Sequence, residues 1–181
     1  MIKRFLVAAS AAAMMLAVPA NAALQQGDSV PSLVTQGVLA GKTFNFNLQQ
    51  ELRKGPVVLY FFPKAFTPGC NLEAQAFAEA IDEFKAAGAQ VVGMSGDSLD
   101  DLEQFSVKEC GGKFPVARAT PSTIKAFDVA LTMNGQRNEN LTSRTSYVIA
   151  PDGKITMVHS DLNWADHVSR SLTAVQALNH S

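Results

Sequence analysis

Cysteine is scarce in this chain of 181 residues: there are two, Cys70 and Cys110. A domain of this length does not need a bridge between them to hold its core, so a redox role for the pair competes with a structural one. Basic residues do not outnumber acidic ones and form no stripe, which argues against nucleic acid as a partner. There are three histidines, His159, His167 and His180, without metal-ligand spacing to one another or to the cysteines. At this level they are poor candidates for chemistry, and nothing in the sequence asks for a metal or an organic cofactor. Beyond the first 22 residues no apolar run is long enough to span a membrane. No internal repeat or low-complexity segment follows them.

The first 22 residues have a different character. Lys3 and Arg4 precede an apolar stretch from Phe5 to Val18, and Ala20-Asn21-Ala22 after Pro19 is an A-x-A cleavage site. Residues 1–22 therefore read as a secretory signal peptide, too short for a comfortable transmembrane span. The expectation is export to a bacterial periplasm, with one domain over residues 23–181. Two of the 15 Lys and Arg residues lie in this leader; the remaining 13 face 16 acidic residues, a net charge of −3. An oxidising compartment makes an even pair of cysteines an invitation to a disulfide.

Residues 23–31 read as extended surface chain. Thr43 to Leu48 alternates polar and apolar, as a half-buried strand does. Val57 to Phe62 is apolar without alternation, which predicts a central strand covered on both faces. A helix is predicted from about Cys70 to Ala87, with Phe77, Ile81 and Phe84 on one face and Gly88 at its end. A strand over 90–94 and a helix capped by Ser98 follow, with Leu99, Leu102 and Phe105 facing inward and Cys110-Gly111-Gly112 at its close. Residues 115–117 predict a short strand and 122–127 a short helix. Asn134-Gly135 predicts a loop or hairpin within 130–143. Strands over 146–150 and 154–159 flank the turn Pro151-Asp152-Gly153, and Val168, Leu172, Val175 and Leu178 mark a final helix. This order predicts an α/β fold with a mixed central sheet and helices on both faces.

Cys70 ends the stretch Phe61-Phe62-Pro63-Lys64-Ala65-Phe66-Thr67-Pro68-Gly69-Cys70. An apolar strand stops at a proline, a turn follows, and a cysteine opens a helix. At a helix N-terminus, unpaired N–H groups and the positive end of the dipole favour a thiolate, the nucleophilic form. Cys70 is thus a candidate nucleophile, the alternative being a small buried hydrophobe.

Pro63, Thr67 and Cys70 fit P-x-x-x-T-x-x-C, and with this motif the chain resembles the peroxiredoxins. Tyr60-Phe61-Phe62-Pro63-Lys64 and Thr67-Pro68-Gly69-Cys70 are similar to the Q-type branch, the bacterioferritin comigratory proteins. Gly27-Asp28-Ser29-Val30-Pro31 and Ser143-Arg144-Thr145-Ser146-Tyr147-Val148-Ile149 extend the resemblance. It implies a thioredoxin-like fold and a peroxidase of hydrogen peroxide and organic hydroperoxides, with a thioredoxin-like or other thiol as reductant. It implies Cys70 as peroxidatic nucleophile, Thr67 as a hydroxyl on thiolate or peroxide, Arg144 as a fixed charge with several donors, and Pro63 as a wall of the pocket. It also favours a monomer.

The chain departs from this pattern. Many Q-type members carry a second cysteine five residues after the first; here that position is Gln75. Asn71 stands where threonine is common. Cys110 is then the one remaining thiol that could resolve a sulfenic acid on Cys70. A bystander Cys110, with an external thiol as resolver, and a static Cys70–Cys110 bridge are the alternatives. A thiol–disulfide oxidoreductase would want C-x-x-C, and positions 67 and 73 are Thr and Glu.

Overall fold

The computed structural model describes residues 24–179; the expected signal peptide lies outside the described residues. The chain starts with β1 (Val34–Leu39), β2 (Lys42–Asn47), α1 (Leu48–Leu52), β3 (Val57–Phe61), α2 (Pro68–Glu79), α3 (Ile81–Ala86) and β4 (Gln90–Ser95). It continues through α4 (Leu99–Lys108), β5 (Val116–Arg118), α5 (Pro121–Ala126), β6 (Ala130–Met133), β7 (Gln136–Thr142), β8 (Thr145–Ile149), β9 (Ile155–Ser160) and α6 (His167–Leu178).

Seven strands form one sheet in the order β2-β1-β5-β4-β3-β8-β9. β3 and β5 both run parallel to β4. β8 lies antiparallel to β3, and β9 to β8. The expected mixed sheet is present, and β3 is an interior strand. Its side chains alternate between two apolar layers. Val58, Tyr60 and Phe62 join Phe77 of α2, Phe84 of α3, Phe105 of α4 and Val175 of α6. Val57, Leu59 and Phe61 join Leu52 of α1 and Ile124 of α5. Helices thus cover both faces, which is why the run from 57 to 62 shows no polar alternation. Among the described residues no helix is long and apolar enough to cross a membrane.

Three local findings differ from the sequence reading. The helix expected over 70–87 starts two residues earlier, at Pro68, and breaks at Ala80 (φ −83°, ψ 0°) into α2 and α3. The apolar period Phe77, Ile81, Phe84 runs through the break, so the pattern does not reveal it. α1 is a short helix capped by Asn47, whose side chain accepts from the Gln50 N–H. β1 is a strand that the sequence pattern conceals. Gly37 interrupts its alternation, and a Cβ there would lie 2.7 Å from Phe44 Cζ on β2. The glycine lets the Phe44 ring lie across its neighbour.

Other expectations hold. Ser98 caps α4, its side chain accepting from the Asp101 N–H. Asn134 and Gly135 have φ of 50° and 74° and turn the hairpin β6–β7.

Candidate active site

The site is built where β3 ends. Phe62 N–H still donates to Met94 O (2.9 Å), then Pro63 ends the pairing. The loop 63–67 leads to α2, whose first residue is Pro68, a position that needs no N–H donor. Asn71 N–H makes an early helical bond to Thr67 O (2.9 Å). Cys70 is the third residue of the helix and is buried. Its backbone N–H belongs to the first turn, which lacks intrahelical acceptors.

Asp97, just beyond β4, holds the loop. Its Oδ2 accepts from Ala65 N–H (2.7 Å) and Ser95 Oγ–H (2.7 Å), and its Oδ1 from Lys64 Nζ (2.6 Å). Burial alone would raise this carboxyl, but the bonds from Lys64, Ser95 and Ala65 outweigh it and hold it below the usual carboxylate range. Asp97→Ala is expected to cost about 2–3 kcal/mol at neutral pH by leaving the buried Ala65 N–H unpaired. Because the folded value is depressed, the charged form stabilises fully above about pH 4 and loses this as pH falls through the folded value. Thermal melts of wild type and Asp97→Asn across pH 2–6 check this; parallel curves would refute it.

Phe66 sits in the left-handed region (φ 62°), an unfavourable place for a bulky residue. Its ring meets Phe105 edge-on at 5.4 Å, with Lys108 Nζ 5.8 Å from the ring centroid. Thr67 Oγ–H donates to Lys64 O (2.9 Å). The Thr67 proton is therefore used within the loop, and its lone pairs remain as acceptors. The structure gives Thr67 this local bond and no bond to Cys70.

Arg144 arrives from the other side of β3. Thr145 pairs with Phe61 across β3 and β8, so the residue before it lies level with the start of the loop. The buried guanidinium points three ways. Nη2 is 3.5 Å from Cys70 Sγ, Nε donates to Leu162 O (2.9 Å), and Nη1 donates to Glu73 Oε2. Gly69 makes room: a Cβ there would stand 3.2 Å from Arg144 Nη2 and 3.9 Å from Trp164 Cδ1. Of the residues singled out in the sequence, the structure brings Cys70 and Arg144 together, with Pro63 and Thr67 at the two ends of the loop.

It missed Glu73, one turn along α2 from Cys70. The Glu73 side chain is fully buried. Burial pushes its carboxyl up to about 8, against the pull of Arg144. The spacing Cys70-x-x-Glu73 on a helix was the available signal. Of the histidines ranked low, one lies beside this carboxyl. His167 opens α6 fully buried, with Nδ1 3.7 Å from Glu73 Oε1.

Cys110 follows α4 and is a buried free thiol in the same apolar layer as Cys70, also free. Burial, then the Glu109 carboxylate, holds the Cys110 thiol well above the ordinary thiol range. Two bonds tie its surroundings to α2. Gln75 Nε2 donates to Glu109 Oε2 (2.8 Å), and Lys113 Nζ donates to Ala78 O (2.9 Å).

A thiolate at Cys70 would face a fixed cation and first-turn N–H groups inside an apolar layer, an arrangement suited to charge developing next to sulfur.

The AhpC/TSA family model matches residues 27–158. The chain is 32% identical over 123 residues to Peroxiredoxin Bcp of Xanthomonas campestris, covering 67% of this chain and 76% of that protein. Among solved structures, the peroxidoxin BcpB of Mycobacterium tuberculosis superposes with TM-score 0.75 at 28% identity, over 86% of this chain and 98% of that one. Peroxiredoxin Q of Xanthomonas campestris gives TM-score 0.68 at 29% identity, over 78% and 89%.

Proposed function

The chain belongs to the AhpC/TSA family and is a thiol-dependent peroxidase, and we propose that Cys70 is its peroxidatic thiol, served by Arg144, Thr67 and Pro63. The observation that carries this is the Arg144 guanidinium 3.5 Å from the buried Cys70 sulfur at a helix start. The Cys70 thiolate attacks one peroxide oxygen. An S–O bond forms, the O–O bond breaks, and the leaving oxygen departs with the electron pair and takes up a proton as water or an alcohol. Sulfur is oxidised to a sulfenic acid. Arg144 N–H groups offset the charge growing on the leaving oxygen. Thr67 Oγ, already donating to Lys64 O, is left to accept the peroxide O–H. Pro63 walls the pocket.

Resolution falls to Cys110. Its thiol condenses with the sulfenic acid, giving a Cys70–Cys110 disulfide and water, and an external dithiol returns both to thiols. Because Cys110 is fully buried, this step requires the end of α4 to open locally. In a second reading an external thiol attacks Cys70 directly, which calls for an opening over Cys70, itself buried, and none at Cys110. The leader residues support work in the periplasm with a thioredoxin-like donor, and the Q-type resemblance supports a monomer.

The test is mass mapping after one equivalent of peroxide. With a sulfenic acid trap present from the start, the trap is expected on Cys70; without it, a Cys70–Cys110 linked peptide is expected. Trap on Cys110 alone would overturn the assignment of the nucleophile. A trapped Cys70 with no linked peptide would move resolution to an external thiol.

A further inference from the structure

Glu73 presents a problem that Arg144 only half solves. Arg144 bonds Oε2, while Oε1 is buried with no hydrogen-bond partner. The group facing Oε1 is His167 Nδ1, 3.7 Å away. His167 Nε2 lies 2.9 Å from the Asp161 carbonyl. A carbonyl only accepts, so Nε2 carries a proton and Nδ1 of a neutral ring has only its lone pair. Ser146 Oγ, 2.8 Å from Nδ1, then donates to it. An ionised Glu73 would thus aim an unpaired oxygen at a lone pair in a dry site, which is unfavourable. One proton between the two groups removes the conflict, as Glu73 O–H toward Nδ1 or as Nδ1–H toward Oε1.

We propose that His167 is a positioning residue for the peroxidatic step: it and Glu73 hold one proton between them, so that Glu73 does not neutralise the Arg144 charge that serves Cys70. The charge count carries the idea. Arg144, Glu73 and His167 with one shared proton total +1, whichever partner holds it. Without that proton they total zero. Burial acts on both members in the required direction, raising Glu73 to about 8 and lowering His167 to about 4, so the proton resides mainly on the carboxyl. The other ionisable groups facing the pair are few among the described residues. They are Tyr60 on β3 and Arg144 ahead of β8, the latter also next to Cys70, with the His159 ring of β9 at 4.5 Å from the His167 ring. Asp161, beyond β9, also acts on His167.

This inference rests on Cys70 as the peroxidatic thiol. Its test is the pH dependence of Cys70 oxidation by hydrogen peroxide in the full chain, read by Trp164 fluorescence. Trp164 is the one tryptophan and borders Gly69. The wild-type rate constant is expected to fall about tenfold through a one-proton step near pH 8, where Glu73 titrates. Glu73→Gln should remove that step. His167→Leu takes away the proton's second holder and should move the midpoint down by about one unit. Ser146→Ala frees the Nδ1 lone pair for Glu73 and should move it up. Should His167→Leu not fold, Ser146→Ala decides alone. A step that Glu73→Gln leaves in place, or a midpoint unmoved by Ser146→Ala, overturns the proposal. If peroxide oxidises the protein and Cys70→Ser does so equally fast, the reading beneath it fails instead.

Discussion

A Cys70→Ser chain is expected to consume peroxide at the background rate, a fall of at least about a thousandfold. The change is one atom. Serine keeps the shape, the helix start and the Arg144 neighbour, but a hydroxyl is almost never ionised near neutral pH, whereas the reaction needs an anion at that atom. Burying a hydroxyl in place of a thiol costs about 1 kcal/mol when its donor finds a partner, so the fold should persist. Circular dichroism and a thermal melt establish this alongside the peroxide assay. The measurement is peroxide loss in the presence of a dithiol, for wild type, Cys70→Ser and Cys110→Ser. Under the resolving role, Cys110→Ser still forms one sulfenic acid per chain and slows only later turnovers. Turnover that survives in Cys70→Ser at the wild-type rate would place the chemistry elsewhere.

Arg144→Lys should lower the second-order rate constant for peroxide by about 10²–10³ although the formal charge is kept. The guanidinium serves Cys70, Glu73 and the Leu162 carbonyl at once, in three directions set by its planar fork. An ammonium on a flexible stem cannot hold all three. It will settle on the oxygens of Glu73 and Leu162 and leave the sulfur without a donor. Stability should fall by about 2 kcal/mol rather than the full cost of a broken buried pair, because Glu73 shares a proton with His167 and leaves no unpaired negative charge behind. Stopped-flow oxidation under pseudo-first-order conditions reads the rate directly. A lysine variant within about threefold of wild type would show that charge alone suffices and that the fork is incidental.

Much of the fold was legible because it rests on local patterns. The apolar run at 57–62, the Ser98 cap and the Asn134-Gly135 turn each carry their information within a few residues. The linear motif likewise exposed Pro63, Thr67 and Cys70, and the resemblance added Arg144. Glu73 and Asp97 were not singled out and His167 was ranked low, because their surroundings are a matter of distance across the fold. Asp97 matters through Ala65, 32 positions away, and Arg144 through Glu73, 71 positions away. The parallel seating of β4 beside β3 brings Asp97 to the loop, and the antiparallel seating of β8 beside β3, with α6 over that face, brings Arg144 and His167 to Glu73. Gly37 hid β1 for a related reason: its function is to admit the Phe44 ring of the next strand, which no alternation count can register.

The two bonds between α2 and the Cys110 segment bear on how the protein opens. Gln75 grips Glu109 and Lys113 grips the Ala78 carbonyl, one on either side of Cys110. Opening the Cys110 segment away from α2 has to break both bonds, and both are anchored in the last turns of the helix that carries Cys70. The free energy of exposing the second thiol therefore includes the loss of these contacts with the helix of the first. With both thiols free, the segments that carry them are already joined through these two side chains.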